Sequence, residues 1–433
     1  MAFKKILNKL DVDALDLLKG GGTTFFIRIF GIILLYIFTL IITNLFGAEI
    51  YGEFSFFVLS LKILSLIAMA GIDIYLLRYI SDDPKQIKIS DYIGKGTVAV
   101  FVNSIILAAL VYLLISNSYQ IFFSDYYYII LLLACLFPFT LLRMNAQSYR
   151  ALKNTAMFSI LEYVGIPLVS ILAFFALKFG FGLTDFTPAN AYLLAIMVIF
   201  IVSLFHWQFK FGNDLLSKFW SHLKEVPKTN KMAIPFLIAG SSMFFGPWIV
   251  ALILKYFAGN ESLGNFEAAM RIGYLLMMPL VAATTIAAPI FSRKYGKGEL
   301  EGIKKVLKLT TNVIFLITFP ILLLIFVFSD PLMALYGNDF AQSGNVLRVL
   351  LIGFFFNSLT GPISLMLQMC EKQILVQNVF VASTFINILF SFILIPKYGI
   401  MGAAWSNVIY QILINGILLI YLKRKFGYLS FGR

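Results

Sequence analysis

Long uninterrupted apolar runs, neither alternating nor striped, dominate the order of residues along this chain. A helix needs roughly 20 apolar residues to cross the hydrocarbon of a bilayer. Runs of that length recur twelve times, at about 25–47, 54–80, 94–116, 126–148, 155–178, 187–209, 232–257, 265–291, 308–329, 345–370, 373–396 and 399–422. Four stretches carry no charge: Gly96 to Ser124, Phe186 to Phe209, Gln373 to Pro396 and Tyr398 to Leu422. The largest connections, around 210–231 and 292–307, are short, basic and compatible with helix, so none holds a soluble domain. The pattern predicts an all-α membrane protein of about twelve transmembrane helices. Ahead of them, Phe3, Ile6, Leu7 and Leu10 recur at helical spacing while Asp11, Asp13 and Asp16 interrupt any apolar core. That predicts an interfacial helix over 1–24 and not a cleavable signal.

Composition agrees: 60% of residues are hydrophobic, 13% are charged, and 45 Phe and 21 Tyr are present. A soluble domain is nearer one quarter charged. The net charge of +13 would in a soluble chain point to nucleic acid. Here its distribution accounts for it. With the N-terminus placed in the cytoplasm, 28 Lys and Arg fall on the cytoplasmic side. Only Lys178, Lys255 and Lys397 fall opposite, and Lys62, Arg271 and Arg348 lie inside spans. The positive-inside bias then places both termini in the cytoplasm, and no nucleic-acid partner is expected.

Gly47-Ala48-Glu49-Ile50-Tyr51-Gly52-Glu53-Phe54 aligns without gaps on Gly259-Asn260-Glu261-Ser262-Leu263-Gly264-Asn265-Phe266, at an offset of 212 residues. Both copies join the first and second span of a six-span half. Halves with six spans share one orientation, which makes them parallel repeats about an axis along the membrane normal, with a cavity between. The expected organisation is an interfacial helix at 1–24, six-helix bundles at 25–210 and 232–422, a cytoplasmic linker at 211–231 and a tail at 423–433.

Charges inside spans cost roughly 2.5–3.5 kcal/mol each on insertion scales, so each calls for a reason. Lys62 lies eight residues past Phe54, about 12 Å deep at 1.5 Å per residue. Asp73 follows eleven residues later on the same helix face. The pair either lines a cavity or forms a structural charged stripe. Arg271 lies one turn from Tyr274, the repeat equivalent of Lys62, and Arg348 enters the tenth span from outside; both are cavity cations or outer anchors. Arg28, Arg78 and Arg143 stand near cytoplasmic span ends, where anchoring competes with function. Glu162 in the fifth span either pairs with a base or carries a coupling proton. Pro235, Pro247, Pro279 and Pro289 interrupt the seventh and eighth spans, as bending points or as static kinks.

Catalytic chemistry has little to work with. His206 and His222 have no carboxylate or thiol at ligand spacing, and Cys135 and Cys370 sit in apolar runs as small buried hydrophobes. No metal site, cofactor or phosphate-binding loop is expected, and no enzyme activity.

The chain resembles the polysaccharide-exporter family of O-antigen and capsule flippases, within the superfamily that includes the multidrug and toxin extruders. The matching pieces are Arg28-x-x-Gly31, Leu45 to Gly52, Gly71-Ile72-Asp73-Ile74-Tyr75-Leu76-Leu77-Arg78-Tyr79 and Ala288-Pro289-Ile290-Phe291-Ser292. The most specific is Leu394-Ile395-Pro396-Lys397-Tyr398-Gly399-Ile400-Met401-Gly402-Ala403-Ala404 before the last span. The resemblance implies two six-helix bundles around a cationic cavity. It implies translocation of an undecaprenyl-diphosphate-linked oligosaccharide to the outer leaflet of the bacterial inner membrane. Arg28, Lys62, Arg78 and Arg271 fall on its pattern of cavity cations, with Arg348 a further candidate. Asp73 and Glu162 are the candidate carboxylates for a coupling ion, H+ or Na+. Expected partners are the lipid-linked oligosaccharide, the bilayer and other polysaccharide-assembly membrane proteins.

Two alternatives remain. An ion-coupled multidrug exporter shares the architecture but calls for an acidic, aromatic cavity. A membrane glycan polymerase calls for larger outer loops than the sequence offers. The orientation is testable with a reporter active only outside the membrane: it should be active after Asp125 or Asp339 and silent at Glu225 or Gly298. The reverse pattern would overturn the topology.

Overall fold

The computed structural model describes residues 12–81, 89–115, 118–211, 218–427 and 430. Phe3, Ile6, Leu7 and Leu10 of the expected interfacial helix lie outside the described residues. Its later part, from Val12, runs directly into the first span.

Among the described residues the chain is helical and contains no strand. In chain order the helices are α1 (Val12–Met69), α2 (Ile72–Ser81), α3 (Ile89–Ile115), α4 (Tyr127–Ala151) and α5 (Thr155–Ser159). Then come α6 (Gly165–Phe181), α7 (Thr187–Phe211), α8 (Phe219–Gly273), α9 (Met278–Gly296) and α10 (Leu300–Val327). The last four are α11 (Ser329–Ala334), α12 (Gly344–Thr360), α13 (Ile363–Met369) and α14 (Gln373–Phe426). Nine helical stretches among the described residues are long and apolar enough to cross a membrane. This is an all-α membrane protein. Hydrocarbon offers no partner for a peptide group, so a spanning segment without sheet partners must bond its own backbone as helix.

The three longest helices are each broken once, at a glycine. The breaks are Gly47 in α1 (φ 76°, ψ −174°), Gly259 in α8 (φ 82°, ψ 173°) and Gly399 in α14 (φ 55°, ψ −131°). Positive φ with extended ψ is essentially restricted to glycine. Gly47 and Gly259 are the equivalent residues of the 212-residue repeat, and they share one backbone conformation. The repeat in sequence is a repeat in structure. In α14 the return after Pro396 and Gly399 is tight: a Cβ on Gly402 would stand 2.3 Å from the Leu394 carbonyl oxygen.

The chain forms two compact units. The first comprises the residues up to Thr39 together with Phe57–Ser241, and the second Leu40–Phe56 with Ser242–Arg433. In the first, α2 packs on α3 and α4, α4 on α3 and α7, and α6 on α7. The beginning of α8, where the linker was expected, belongs to this unit for a polar reason. Asn103 of α3 and Asn230 of α8 exchange side-chain hydrogen bonds of 3.1 and 2.8 Å, and Asn103 also donates to the Ala68 carbonyl at 3.0 Å. Nearer the start of α8, Lys95 bridges Asp91 (2.8 Å) and Glu225 (2.9 Å), and His222 Nε2 meets Asp91 at 3.2 Å. Thus His222, isolated in sequence, does have a carboxylate partner, 131 residues away.

In the second unit α12 packs on α14, α9 on α10 and α13, and α13 on α14, around Phe291, Leu307, Met366 and Leu418. The Lys294 ammonium lies 2.8 Å from Glu299 in the basic turn after α9, and holds that carboxyl below the usual range. The segment Leu40–Phe56 joins this unit through the repeat itself. A Cβ on Gly52 would lie 1.9 Å from the Asn260 carbonyl oxygen, and one on Gly264 would lie 2.0 Å from the Ala48 carbonyl oxygen. Ala48 and Asn260 are repeat equivalents, as are Gly52 and Gly264, so the contact is reciprocal about a local two-fold relation. Beside it Lys255 Nζ meets Glu53 Oε2 at 2.5 Å, with the two side chains only 7% and 4% exposed, and lies 4.9 Å over the Phe56 ring. Trp248 stacks on Phe56 in turn. The repeat equivalent of Glu53 is Asn265, which accepts from Ser343 at 2.8 Å. The ion pair therefore breaks the local symmetry.

Gly52→Ala and Gly264→Ala should each cost about 1–3 kcal/mol through overpacking and lower the thermal midpoint of the purified protein. Gly180→Ala and Gly416→Ala, where nothing lies within 4 Å, should leave it in place. Equal midpoints for all four would contradict the close approach. Breaking a buried ion pair from one side costs about 3–5 kcal/mol, whereas replacing both partners costs far less. Glu53→Gln and Lys255→Met should therefore each destabilise, and the double variant should lose less than their sum. Additive losses would show that the two charges are not coupled.

Candidate functional site

The charged residues expected at the site fall into both units. In the first, Lys62 is the one exposed residue between Tyr51 and Asp73 on a stretch otherwise buried or half-buried. Its neighbours Leu61 and Ile63 face the core. Asp73 opens α2, half-buried, with the Ile74 amide bonded to its carboxylate and Arg143 of α4 as the opposite charge acting on it. Arg78 occupies the last turn of α2 and is exposed; on the same helix the Tyr75 and Tyr79 rings pack together, and Tyr79 meets Tyr92.

Arg28 is held by an arrangement the sequence did not announce. Asn154 accepts a hydrogen bond from the Met157 amide at 3.1 Å and so caps α5. One turn on, residues Ile160–Val164 form a π-helical turn, closed by the Gly165 amide donating to the Ile160 carbonyl. Such bulges arise where one residue too many is wound into a helix, and they concentrate at functional sites. Glu162 and Tyr163 lie within it. A Cβ on Gly31 would stand 2.4 Å from the Tyr163 carbonyl oxygen, so only glycine lets α1 rest on the bulge. One turn before Gly31, the Arg28 guanidinium lies 5.0 Å over the Tyr163 ring. The motif Arg28-x-x-Gly31 thus has a physical content: the glycine admits the bulge and the arginine stacks on it.

In the second unit Arg271 lies 5.8 Å over the Tyr51 ring, with Tyr336 and Glu267 also acting on it. Arg348 donates to Asp330 at 2.6 Å and to Asn345 at 2.7 Å, both exposed contacts. That is the geometry of an anchoring ion pair. The structure thus brings Arg28 to Tyr163, the neighbour of Glu162, Asp73 to Arg143, and Arg271 to Tyr51.

Three features escaped the sequence: the Glu53–Lys255 pair, the platform role of Tyr163, and the Asn103–Asn230 amide pair. The first left a trace, because the repeat carries Glu53 in one copy and neutral Asn265 in the other. A π-turn leaves no periodicity to read. Among the described residues no group of three His, Cys, Asp or Glu side chains is placed to hold a metal ion.

Comparison with known proteins completes the picture. A family model described as polysaccharide biosynthesis protein matches residues 17–294, well over half of the chain, and the MatE model matches 235–393. A probable low-salt glycan biosynthesis flippase of Haloferax volcanii is 24% identical over 56% of this chain and 51% of its own. A putative O-antigen transporter of Shigella flexneri is 25% identical over 42% and 46%. The chain spans about half the length of the curated relatives it matches. The fold is similar to an inward-facing multidrug resistance MATE family transporter of the MOP superfamily (TM-score 0.71, 16% identity, 96% of this chain and 98% of that one). It is also similar to the lipid II flippase MurJ in an inward closed conformation (TM-score 0.66, 15% identity, 94% and 87%). The repeat, the cations in the spans and a family match across residues 17–294 lead to one assignment: the chain belongs to the polysaccharide biosynthesis protein family.

Proposed function

We propose that this protein is a flippase. It moves an undecaprenyl-diphosphate-linked oligosaccharide, an O-antigen, capsule or exopolysaccharide unit, from the cytoplasmic to the outer leaflet by alternating access. Dividing α1, α8 and α14 at Gly47, Gly259 and Gly399 turns nine apolar stretches into twelve crossings. With the Lys/Arg bias, both termini then lie in the cytoplasm of a bacterial inner membrane.

The observation that carries the reading is Lys62. An ammonium exposed in mid-span, on a helix stretch whose other residues are buried or half-buried, cannot face hydrocarbon without heavy cost. It therefore faces a wet cavity, where it offers fixed positive charge to an anionic group. In a low-dielectric setting that charge counts for far more than at a surface. Arg28, Arg78 and Arg271 supply further positive charge to the path of a diphosphate. Arg348, spent on Asp330, serves as an outer anchor. The relatives named as a glycan flippase and an O-antigen transporter support the substrate class. Asp73 and Glu162, beside Arg143 and Arg28, are the carboxylates that a coupling H+ or Na+ would engage. At Asp73, binding a cation would weaken the attraction to Arg143.

The MatE match over 235–393 favours one second reading, an ion-coupled multidrug exporter. A cation-expelling site needs acidic groups that outnumber basic ones, and the in-span charges described above have the opposite balance.

Complementation of a flippase-null strain, scored by surface glycan with membrane abundance measured alongside, tests the reading. Lys62→Ala and Arg271→Ala should each reduce export roughly tenfold or more at normal abundance, as expected on losing a charge-assisted contact. Lys62→Arg should retain part of it, and Arg424→Ala should match wild type. Normal export by both alanine variants would make the drug-exporter reading the better one.

A further inference from the structure

The second unit holds a cluster of uncharged polar side chains within its spans. Downstream of Arg271, the chain carries no charge over 272–292, 349–370, 373–396 and 398–422. Asn357 of α12 donates to the Gln411 amide oxygen of α14 at 3.2 Å and to the Met277 sulfur at 3.7 Å. Thr384 reaches the Tyr410 hydroxyl across the two arms of α14, and Glu267 and Tyr410 act on the Tyr274 phenol. Tyr274 opens the short 3-10 turn Tyr274–Met277 between α8 and α9 and is exposed, its ring 5.2 Å from that of Phe354. Tyr274 is the repeat equivalent of Lys62. The position that carries an exposed ammonium in one copy carries an exposed phenol in the other.

Polar side chains that only join helices close on one another. Some in this unit do: Thr360 donates to Asn415 at 3.1 Å, and Ser391 to Ser406 at 3.0 Å. Asn387 and Asn407 do not. Asn387 is 5% exposed and Asn407 half-buried, and the amide oxygen of each is buried without a hydrogen-bond partner among the described residues. Asn387 lies one turn from Thr384 on one arm of α14, and Asn407 one turn from Tyr410 and Gln411 on the other, so both share the polar face. An unpaired polar group at this depth is costly. An amide can donate twice and accept twice. Amides and phenols together suit a ligand that presents several hydroxyl groups and no charge.

We propose that Tyr274, Asn387, Asn407 and Gln411 form a subsite for the hydroxyl groups of a sugar. Resting on the flippase reading, this divides the substrate between the copies of the repeat: Lys62 in the first serves the diphosphate, and the neutral groups of the second serve the carbohydrate. Tyr274 offers a flat apolar face beside its hydroxyl, which matches the C–H faces and hydroxyl rim of a pyranose. Selectivity follows, because a site with buried polar groups disfavours a ligand that leaves them unpaired.

Purified full-length protein in detergent is titrated with two lipids. One is sugar-free undecaprenyl diphosphate; the other is the same carrier bearing its oligosaccharide, extracted from the source cells. Wild type should bind the glycosylated lipid roughly tenfold or more tighter. Asn387→Leu, Asn407→Leu and Tyr274→Phe should each weaken that binding roughly three- to tenfold and leave binding of the sugar-free lipid unchanged. Replacing an unpaired buried amide by an apolar group of similar size costs little or no stability, so Asn387→Leu should melt at or above the wild-type midpoint. Thr360→Val, which opens a closed bond, should melt lower and keep the preference for sugar. Tyr274 is exposed, so Tyr274→Phe decides if the amide variants prove unstable. A lowered midpoint for Asn387→Leu with the sugar preference intact would assign the amide to packing and overturn the subsite. Equal affinity of wild type for the two lipids overturns it too, with the flippase reading left standing. If wild type binds neither lipid, the flippase reading fails and the subsite with it.

Discussion

Every peptide group inside hydrocarbon must bond within its own helix, and from that requirement most of this structure follows. A chain under it cannot turn at will. It turns where glycine permits a conformation closed to other residues, as at Gly47, Gly259 and Gly399. Elsewhere it turns where side chains take over the freed amides: Asp125 accepts from the Tyr127 amide at 2.7 Å, and Thr187 accepts from the Thr184 amide at 2.8 Å. The same economy of polar groups governs charge. Glu53 has Lys255, Asp73 has Arg143, Arg271 has Tyr51, and Arg28 has Tyr163. Lys62 is exposed on a stretch otherwise buried or half-buried.

The choice of partner sorts the charges into two kinds. Glu53–Lys255 is closed on itself, nearly dry, and sits beside a reciprocal glycine contact, so it fixes the segment Leu40–Phe56 to the second unit. Arg348 is likewise closed, on Asp330. Arg28 is instead seated on the Tyr163 ring, which fixes the plane of its guanidinium. A transporter of an anionic headgroup needs the second kind of support, since a cation already neutralised by a carboxylate has little affinity to offer. The MATE-like fold alone is shared with drug exporters, and fold does not settle substrate.

Fold class was legible in the sequence because hydrocarbon demands long apolar runs, which need no tertiary information to detect. The repeat was legible too: Gly47 and Gly259 recur because the same backbone conformation recurs, and no other residue adopts it. Unit boundaries were not legible. Residues 219–231 look like a linker by composition, yet Asn230 pairs with Asn103 and Glu225 with Lys95 across more than a hundred residues. Lys255 was counted as an outer-side charge, since nothing local shows that Glu53 lies against it. Arg28 was found through its motif, but the Tyr163 ring beneath it was not. A π-turn is one residue out of register and leaves no mark in hydrophobic periodicity. Contacts distant in sequence and single-residue irregularities are what a linear reading loses.

The central claim is that the moving cargo is a lipid-linked glycan carried by its anionic headgroup. It is tested most directly by reconstituting the purified protein into liposomes. These contain a fluorescent isoprenyl-diphosphate oligosaccharide, and a membrane-impermeant quencher reports which leaflet the label occupies. The account predicts protein-dependent transfer of that lipid between leaflets, with no transport of a cationic dye in the same vesicles. Dye transport without lipid transfer would contradict it.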